Sequence, residues 1–493
     1  MRRTVSLLFS LLICAGVSAQ IVVNPSEELG PIRKMNAVNN RPKSAGAFVK
    51  ALEIPYSRFH DTPYCNYAVR PVVDINRVFP DFSADPDDPA SYDFAPTDFF
   101  IKGTYDCGMK PFYRLGQSIE HQKYGKYGSI PPADYKKWAV ICEHIIRHYN
   151  EGWADGFNYG IEYWEIWNEA DIDSANERWK TDPRCWGGPM EAFFKFFATA
   201  AKHLKKCFPE LKIGGPAFAG SYNLKHLDPF LTYMEKHKVA LDFFSWHRYS
   251  THPEDYNERA LRVRKMLDAH GYGDTESICD EWNYVTGWAS SESEYSSDTR
   301  RSIKGAAFTA AVMSVGQNSP LDMMMYYDLR PTTSYDGVFN HETGDPKCGY
   351  YAFLSWAKLT RLGTQVAVSG DAFSTAAAAP AASSAAGSDP SEVGSASKAS
   401  SESKGCPDVY VTAAKSPDGR IGILVTRYND DDRIHTREAV TVEVKGYDMS
   451  KAVCHMTNND FLGTEYPFSL SKGRLLCNMT PNSFMFIELP AAE

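Results

Sequence analysis

IEYWEIWNE (161–169) is a short run of β-branched and aromatic residues that ends on an Asn and a Glu. Long amphipathic stretches flank it: DYKKWAVICEHIIRHYN (134–150) before and MEAFFKFFATAAKHLKKCF (190–208) after. In both, apolar residues recur at i, i+3 and i+4, the period of a helix with one buried face. A strand set between two such helices is one βα unit. The same unit repeats outward along the chain. MNAVNN (35–40), IPYSRFHD (54–61) and MKPFYRLG (109–116) precede it, and KIGGPAFAG (212–220), ALDFFSWHRYS (240–250), SICDEWNYV (277–285) and MMMYYDLR (323–330) follow. EDYNERALRVRKMLDAHG (254–271) and CGYYAFLSWAKLT (348–360) supply further helices. Eight strands, each followed by a helix, predict a (β/α)8 TIM barrel over residues 20–361. A doubly wound open sheet is the alternative, but no Gly-rich phosphate loop follows any of the strands.

Beyond residue 361 the period changes. VYVTAA (409–414), IGILVTRY (421–428), AVTVEVKGY (439–447) and SFMFIEL (483–489) are alternating or β-branched runs separated by turn residues. They predict an accessory antiparallel β-sandwich over 362–493. An Ala/Ser-rich insertion at 372–405 interrupts it; with little apolar area to offset ordering entropy, this segment is expected to be disordered. The strand-like IVV (21–23), within residues 20–34, is expected to pair into the sandwich and clamp the two units together.

The chain has 493 residues, 43% hydrophobic and 23% charged, which excludes collagen-like, coiled-coil and wholly disordered classes. A net charge of −9 without a basic stripe argues against nucleic acid as a partner. Arg2 and Arg3, an apolar run and Val17-Ser18-Ala19 read as a secretory signal cut after Ala19 (domain 1–19), so the mature chain is expected to be exported. No later segment is apolar for long enough to span a membrane. Of the 11 cysteines, Cys454 and Cys477 are the best local disulfide pair, with buried free thiols an equally open reading. No C-x-x-C pair, H-E-x-x-H helix or G-x-S-x-G elbow appears, and the acidic run at 81–93 lacks the Gly and Glu of an EF-hand loop. Neither a metal nor a cofactor is expected. Oligomeric state leaves no mark in the sequence.

Reactive groups of a parallel barrel belong at the carboxyl ends of its strands. The fourth strand ends in Trp167-Asn168-Glu169 and the seventh carries Asp280-Glu281-Trp282-Asn283, three βα units further on. Two carboxylates at these ends can face each other across one pocket, which is what glycoside hydrolysis needs: a proton donor for the leaving oxygen and an ionised group at the anomeric carbon. The alternative for each is a solvated or structural carboxylate. Glu165 shares a strand phase with residues 167 and 169 but lies deeper, which suits a buried structural role.

WNEA (167–170) and DEWN (280–283) resemble the two signatures of the clan of retaining (β/α)8 glycoside hydrolases. RFHD (58–61), SWHRY (245–249) and the flanking sandwich narrow the resemblance to glycoside hydrolase family 39, which includes β-xylosidases and α-L-iduronidases. The chain departs from that pattern at Ala170, where many relatives carry Pro, and at MYYDLR (325–330), where xylosidases carry a Trp-containing motif. The resemblance implies Glu169 as acid/base and Glu281 as nucleophile. It further implies that Asn168 bonds the sugar 2-OH, that Tyr249 orients Glu281, and that His60 and His247 contact hydroxyls or position the carboxylates. For either histidine the alternative is a satisfied core imidazole.

Asp328 and Arg330 share a strand phase and are candidate substrate-binding residues. An inward Arg330 would clamp a uronic-acid carboxylate; an Arg330–Asp328 ion pair would leave the site suited to a neutral sugar. Arg58 is likewise either a support for the nucleophile or one half of an ion pair. The leading expectation is a retaining, exo-acting hydrolase of terminal pentosides, xylosidic or arabinosidic, taking an oligosaccharide or polysaccharide. The alternatives are a uronide-specific enzyme, an endo-acting hydrolase, and a glycan-binding protein on a decayed barrel.

Overall fold

The computed structural model describes residues 19–42, 46–62, 72–118, 128–220, 225–330, 334–340, 342–370 and 408–492. Residues 1–18 of the expected 1–19 signal, the 372–405 insertion and Cys65 and Cys406 lie outside the described residues. The chain opens with β1 (Ala19–Pro31) and then builds eight parallel strands: β2 (Lys34–Asn39), β3 (Tyr56–Arg58), β4 (Lys110–Leu115), β5 (Tyr163–Ile166), β6 (Lys212–Phe218), β7 (Phe243–Ser250), β8 (Glu276–Tyr284) and β9 (Met323–Tyr326). These close in sequence order into a barrel, β9 pairing back onto β2. The architecture is the expected TIM barrel.

A layer of apolar side chains plugs the barrel interior: Ala37, Tyr56, Phe112, Tyr163, Phe243, Ile278, Met323 and Met325. β6 contributes none of them. Its Gly214 has no room for a side chain, since a methyl group there would collide with Phe243. This packed floor closes the lower end, so reactive groups can gather only above it. The outward residues of the strands, Trp164, Ile166, Trp246 and Trp282 among them, pack into one core with the surrounding helices. The helix Ile303–Gln317 is buried on all sides, because the second sheet covers the face that would otherwise meet water. With no polar stripe it shows no helical period, and the sequence reading passes over it.

The second unit is a ten-stranded sheet that adds β10 (Thr364–Gly370), β11 (Val409–Lys415), β12 (Ile421–Arg427), β13 (Glu438–Val444), β14 (Val453–Thr457), β15 (Leu462–Glu465), β16 (Ser469–Ser471), β17 (Arg474–Met479) and β18 (Ser483–Leu489). Its order is β15-β14-β18-β12-β11-β10-β1-β13-β17-β16. The sheet is mixed, which corrects the expectation of an antiparallel sandwich: β1 runs antiparallel to β10 but parallel to β13. A strand arriving from the far end of the chain has no hairpin to dictate its direction. Cys454 on β14 and Cys477 on β17 are free thiols buried in this sheet's core. Burial pushes them up to about 12 and about 11, which keeps both protonated and unreactive.

Candidate active site

Arg58, the last residue of β3, is fully buried at the centre of the barrel mouth. Its Nε lies 2.6 Å from Glu165 Oε2 and 3.1 Å from Asp280 Oδ2. Its Nη1 donates to Glu281 Oε1 at 2.7 Å and Asn39 Oδ1 at 3.1 Å, and Nη2 donates to Asn168 Oδ1 at 2.7 Å. Burial alone would lower the guanidinium, but Glu165, Asp280 and Glu281 together hold it above its usual value. Arg58 is ion-paired, and one of its partners is Glu281.

Two backbone irregularities bring the carboxylates to this cation. In β8 the pairing with β7 slips between Trp246↔Cys279 and His247↔Glu281, a β-bulge that inserts Asp280. Strict alternation would send Asp280 and Glu281 to opposite faces; the bulge turns both inward and sends Trp282 and Tyr284 out to the helix layer. In β5 regular structure stops at Ile166, and Trp167 and Glu169 take left-handed backbone with φ of 74° and 50°. The expected common face of residues 165, 167 and 169 is thereby broken. Trp167 packs on Trp186 and Phe196 in the helix layer, while Asn168 turns in to Arg58. Non-glycine residues reach this region at a conformational cost, and such strain clusters at functional sites.

His247, from β7, links the two glutamates. Its Nδ1 is 2.8 Å from Glu169 Oε1 and 3.5 Å from Glu281 Oε2, and its Nε2 is 3.5 Å from Asp280 Oδ2. Burial disfavours the imidazolium, yet Glu281, Asp280 and Glu169 raise it well above the ordinary histidine value. Tyr249, two residues on, donates its hydroxyl to Glu281 Oε2 at 2.8 Å. Burial raises Glu281 above the usual carboxylate range, with Glu169 and Asp280 adding to it against His247 and Arg58. Asp280 sits below its usual value because Arg58 and His247 outweigh its burial, while burial pushes Glu165 up to about 8. At neutral pH Glu165 is thus the protonated member of that pair. Its other oxygen accepts from Ser245 Oγ at 2.6 Å, the buried structural role expected of it.

His60 is buried with Nε2 3.4 Å from Asp61 Oδ1 and 3.9 Å from Glu281 Oε1. Burial drives it well below the ordinary value, so it is a neutral imidazole beside the charged one. β9 ends at Tyr326, so Asp328 and Arg330 stand on the loop beyond it rather than on the strand. Arg330 Nη2 lies 2.7 Å from Asp328 Oδ2 and donates to Tyr327 Oη at 2.8 Å. Asn39 was not singled out from the sequence, although it closes the ring: its amide donates to the Asp280 carbonyl at 2.8 Å. The signal was the Asn pair, Asn39 and Asn40, at the carboxyl end of β2.

One donor atom each from Glu169, His247 and Glu281 lies within 4.8 Å of the others, close enough to surround a cation. The same three side chains are also engaged with one another and with the protein: His247 with Glu169 at 2.8 Å and Glu281 with Arg58 at 2.7 Å. What the arrangement can do is hold one carboxylate in place and pass a proton at the other. Among the described residues, Glu143, His203 and Cys207 form the other cluster of this kind, on helices away from the barrel mouth.

The profile of glycosyl hydrolases family 39 matches residues 73–333. A β-xylosidase of Caldicellulosiruptor saccharolyticus is 32% identical over 169 residues, and one of Geobacillus stearothermophilus is 26% identical over 172. The match to the first covers 33% of this chain and 32% of the relative, and the match to the second covers 32% and 31%, so each spans about a third of the relative's length. The fold extends over nearly the whole chain. A glucosidase structure from Croceicoccus marinus superposes with a TM-score of 0.69 at 22% identity, covering 97% of this chain and all 100% of that one. A monomeric β-xylosidase from Caulobacter crescentus gives 0.63 at 15% identity, covering 97% of this chain and 100% of that one. The chain belongs to glycosyl hydrolases family 39.

Proposed function

We propose that this chain is a retaining glycosidase that releases a terminal pentose, xylose or arabinose, from the end of a saccharide. The observation that carries the reading is the convergence of Glu169 and Glu281 oxygens within 4.8 Å. Retention needs carboxyl groups roughly 5–5.5 Å apart, whereas inversion needs about 6.5–9.5 Å to admit a water. Glu281 attacks the anomeric carbon and forms a glycosyl ester as the bond to the leaving oxygen breaks. Glu169 gives that oxygen its proton. Glu169 then takes a proton from water, whose oxygen displaces Glu281 and returns the sugar with its original configuration. Tyr249 and Arg58 hold the nucleophile's two oxygens, and Asn168, held by Arg58, bonds the sugar 2-OH.

Two observations favour a neutral pentose over a uronide. Asp328 already meets the Arg330 charge, and the two curated relatives named above are β-xylosidases. Export follows from the basic and apolar leader, with a cut after Ala19. No helix among the described residues is long and apolar enough to cross a membrane. The test is a panel of aryl β-xylosides, α-L-arabinosides, β-galactosides and uronides, with Glu281→Gln as control. Proton NMR of the first product formed should show the retained anomer. An inverted product, hydrolysis confined to uronides, or full activity in Glu281→Gln would each refute the reading.

A further inference from the structure

Trp288 lies on the loop that leaves β8, seven residues beyond Glu281, and is 65% exposed. Its ring meets that of Tyr249 edge to face, with centroids 5.5 Å apart and planes at 78°. Tyr249 is the residue whose hydroxyl reaches Glu281, so Trp288 stands one aromatic ring away from the nucleophile. The contact extends an aromatic wall. Tyr249 also neighbours Tyr335 at 6.3 Å and Tyr327 at 6.4 Å, and the Arg300 guanidinium covers Tyr335 at 4.3 Å. Trp288 is the outermost of these rings.

The loop is held on both sides of the tryptophan. Thr286 N–H donates to Ser296 Oγ at 3.0 Å, and Ala289 N–H donates to the Glu292 carboxylate at 3.0 Å, both acceptors lying on the following helix (Ser290–Arg300). Gly287 passes directly against that carboxylate. A large apolar ring is thus fixed in water at the barrel mouth. The apolar face of a pyranose is the surface that stacks on such a ring.

We propose that Trp288 is a sugar-stacking platform that recognises the saccharide unit next to the bond that breaks, making it a specificity-determining residue for chains over simple glycosides. The inference rests on the glycosidase reading above. Its placement follows from depth: Glu281 is buried at the floor of the mouth, while Trp288 is at the rim, a ring's width beyond Tyr249. A sugar held at Glu281 is surrounded by Arg58, His60 and Tyr249; the next unit outward meets Trp288.

The test uses the full chain silenced by Glu281→Gln, titrated calorimetrically with xylobiose and xylotriose. Adding Trp288→Ala should weaken binding about tenfold, the scale of a lost aromatic contact, and Trp288→Phe should restore most of it. In the active chain, Trp288→Ala should lower kcat/KM for xylotriose about tenfold more than for a xylosyl fluoride, whose leaving group is too small to reach Trp288. Equal binding with and without Trp288, in a chain that hydrolyses xylosides, overturns the platform and leaves the glycosidase reading standing. Equal losses on xylotriose and xylosyl fluoride overturn it too. A parent chain that neither hydrolyses nor binds any saccharide overturns both.

Discussion

Arg58 donates to Glu281 at 2.7 Å across 223 residues of chain, with both side chains buried. The same guanidinium reaches Glu165 and Asp280, so one buried cation meets three acidic side chains. Arg58→Met removes that cation and leaves buried acids unpaired, which typically costs about 3–5 kcal/mol. Chemical denaturation should show the loss. Arg58→Lys keeps the charge but not the fork that reaches five side chains, so it should fold while kcat falls about 10–100-fold. A fully active Arg58→Lys would remove Arg58 from the nucleophile's support.

Tyr249→Phe deletes the hydroxyl that bonds the Glu281 carboxylate at 2.8 Å. A hydrogen bond to a charged group is worth about 1.5–3 kcal/mol, so kcat/KM should fall about 10–100-fold. The pH profile carries the direction. The hydroxyl stabilises the ionised form, so without it Glu281, already raised by burial, rises further. The acid limb of kcat/KM should therefore move to higher pH. An unchanged limb would mean that a different group sets it.

Glu169→Gln removes the proposed proton donor while keeping the side chain's shape. Turnover of substrates with a sugar or alkyl leaving group should drop about 10²–10⁴-fold. A nitrophenyl leaving group departs as a stable anion and should suffer far less in the first step. Steady-state and burst kinetics across leaving groups of different basicity give the comparison. Equal losses for all of them would remove the acid role from Glu169.

Asp336 is buried; its Oδ1 accepts from Val338 and Phe339 N–H, while Oδ2 finds no donor among the described residues. Burial pushes it from 3.8 up to about 7. A carboxyl raised on folding binds its proton more tightly in the native state. Its contribution is full below about pH 3.8 and is lost as pH rises through about 7. The loss approaches roughly 4 kcal/mol. Asp336→Asn cannot ionise, so the melting temperature of the variant should lack that decline and exceed the parent's at pH 8. Parallel pH profiles would show that Asp336 ionises freely in the native chain.

The barrel, and the position of Glu169 and Glu281 at the ends of two of its strands, were legible in the sequence because both follow from local period. Strand and helix lengths alternate visibly between residues 35 and 360, and a Glu at a strand's carboxyl end is placed by the fold itself. The same locality set the limit. Alternation assigned Trp167 to the face of Glu165, but left-handed backbone at Trp167 and Glu169 turned Asn168 inward instead. It allowed only one of Asp280 and Glu281 inside, and a bulge admitted both. The parallel seat of β1 beside β13 and the convergence on Arg58 were equally out of reach. Periodicity reports neighbours two to four residues apart, whereas bulges, strand direction and a shared buried cation are decided by residues hundreds of positions away that must fill the same space and balance the same charge.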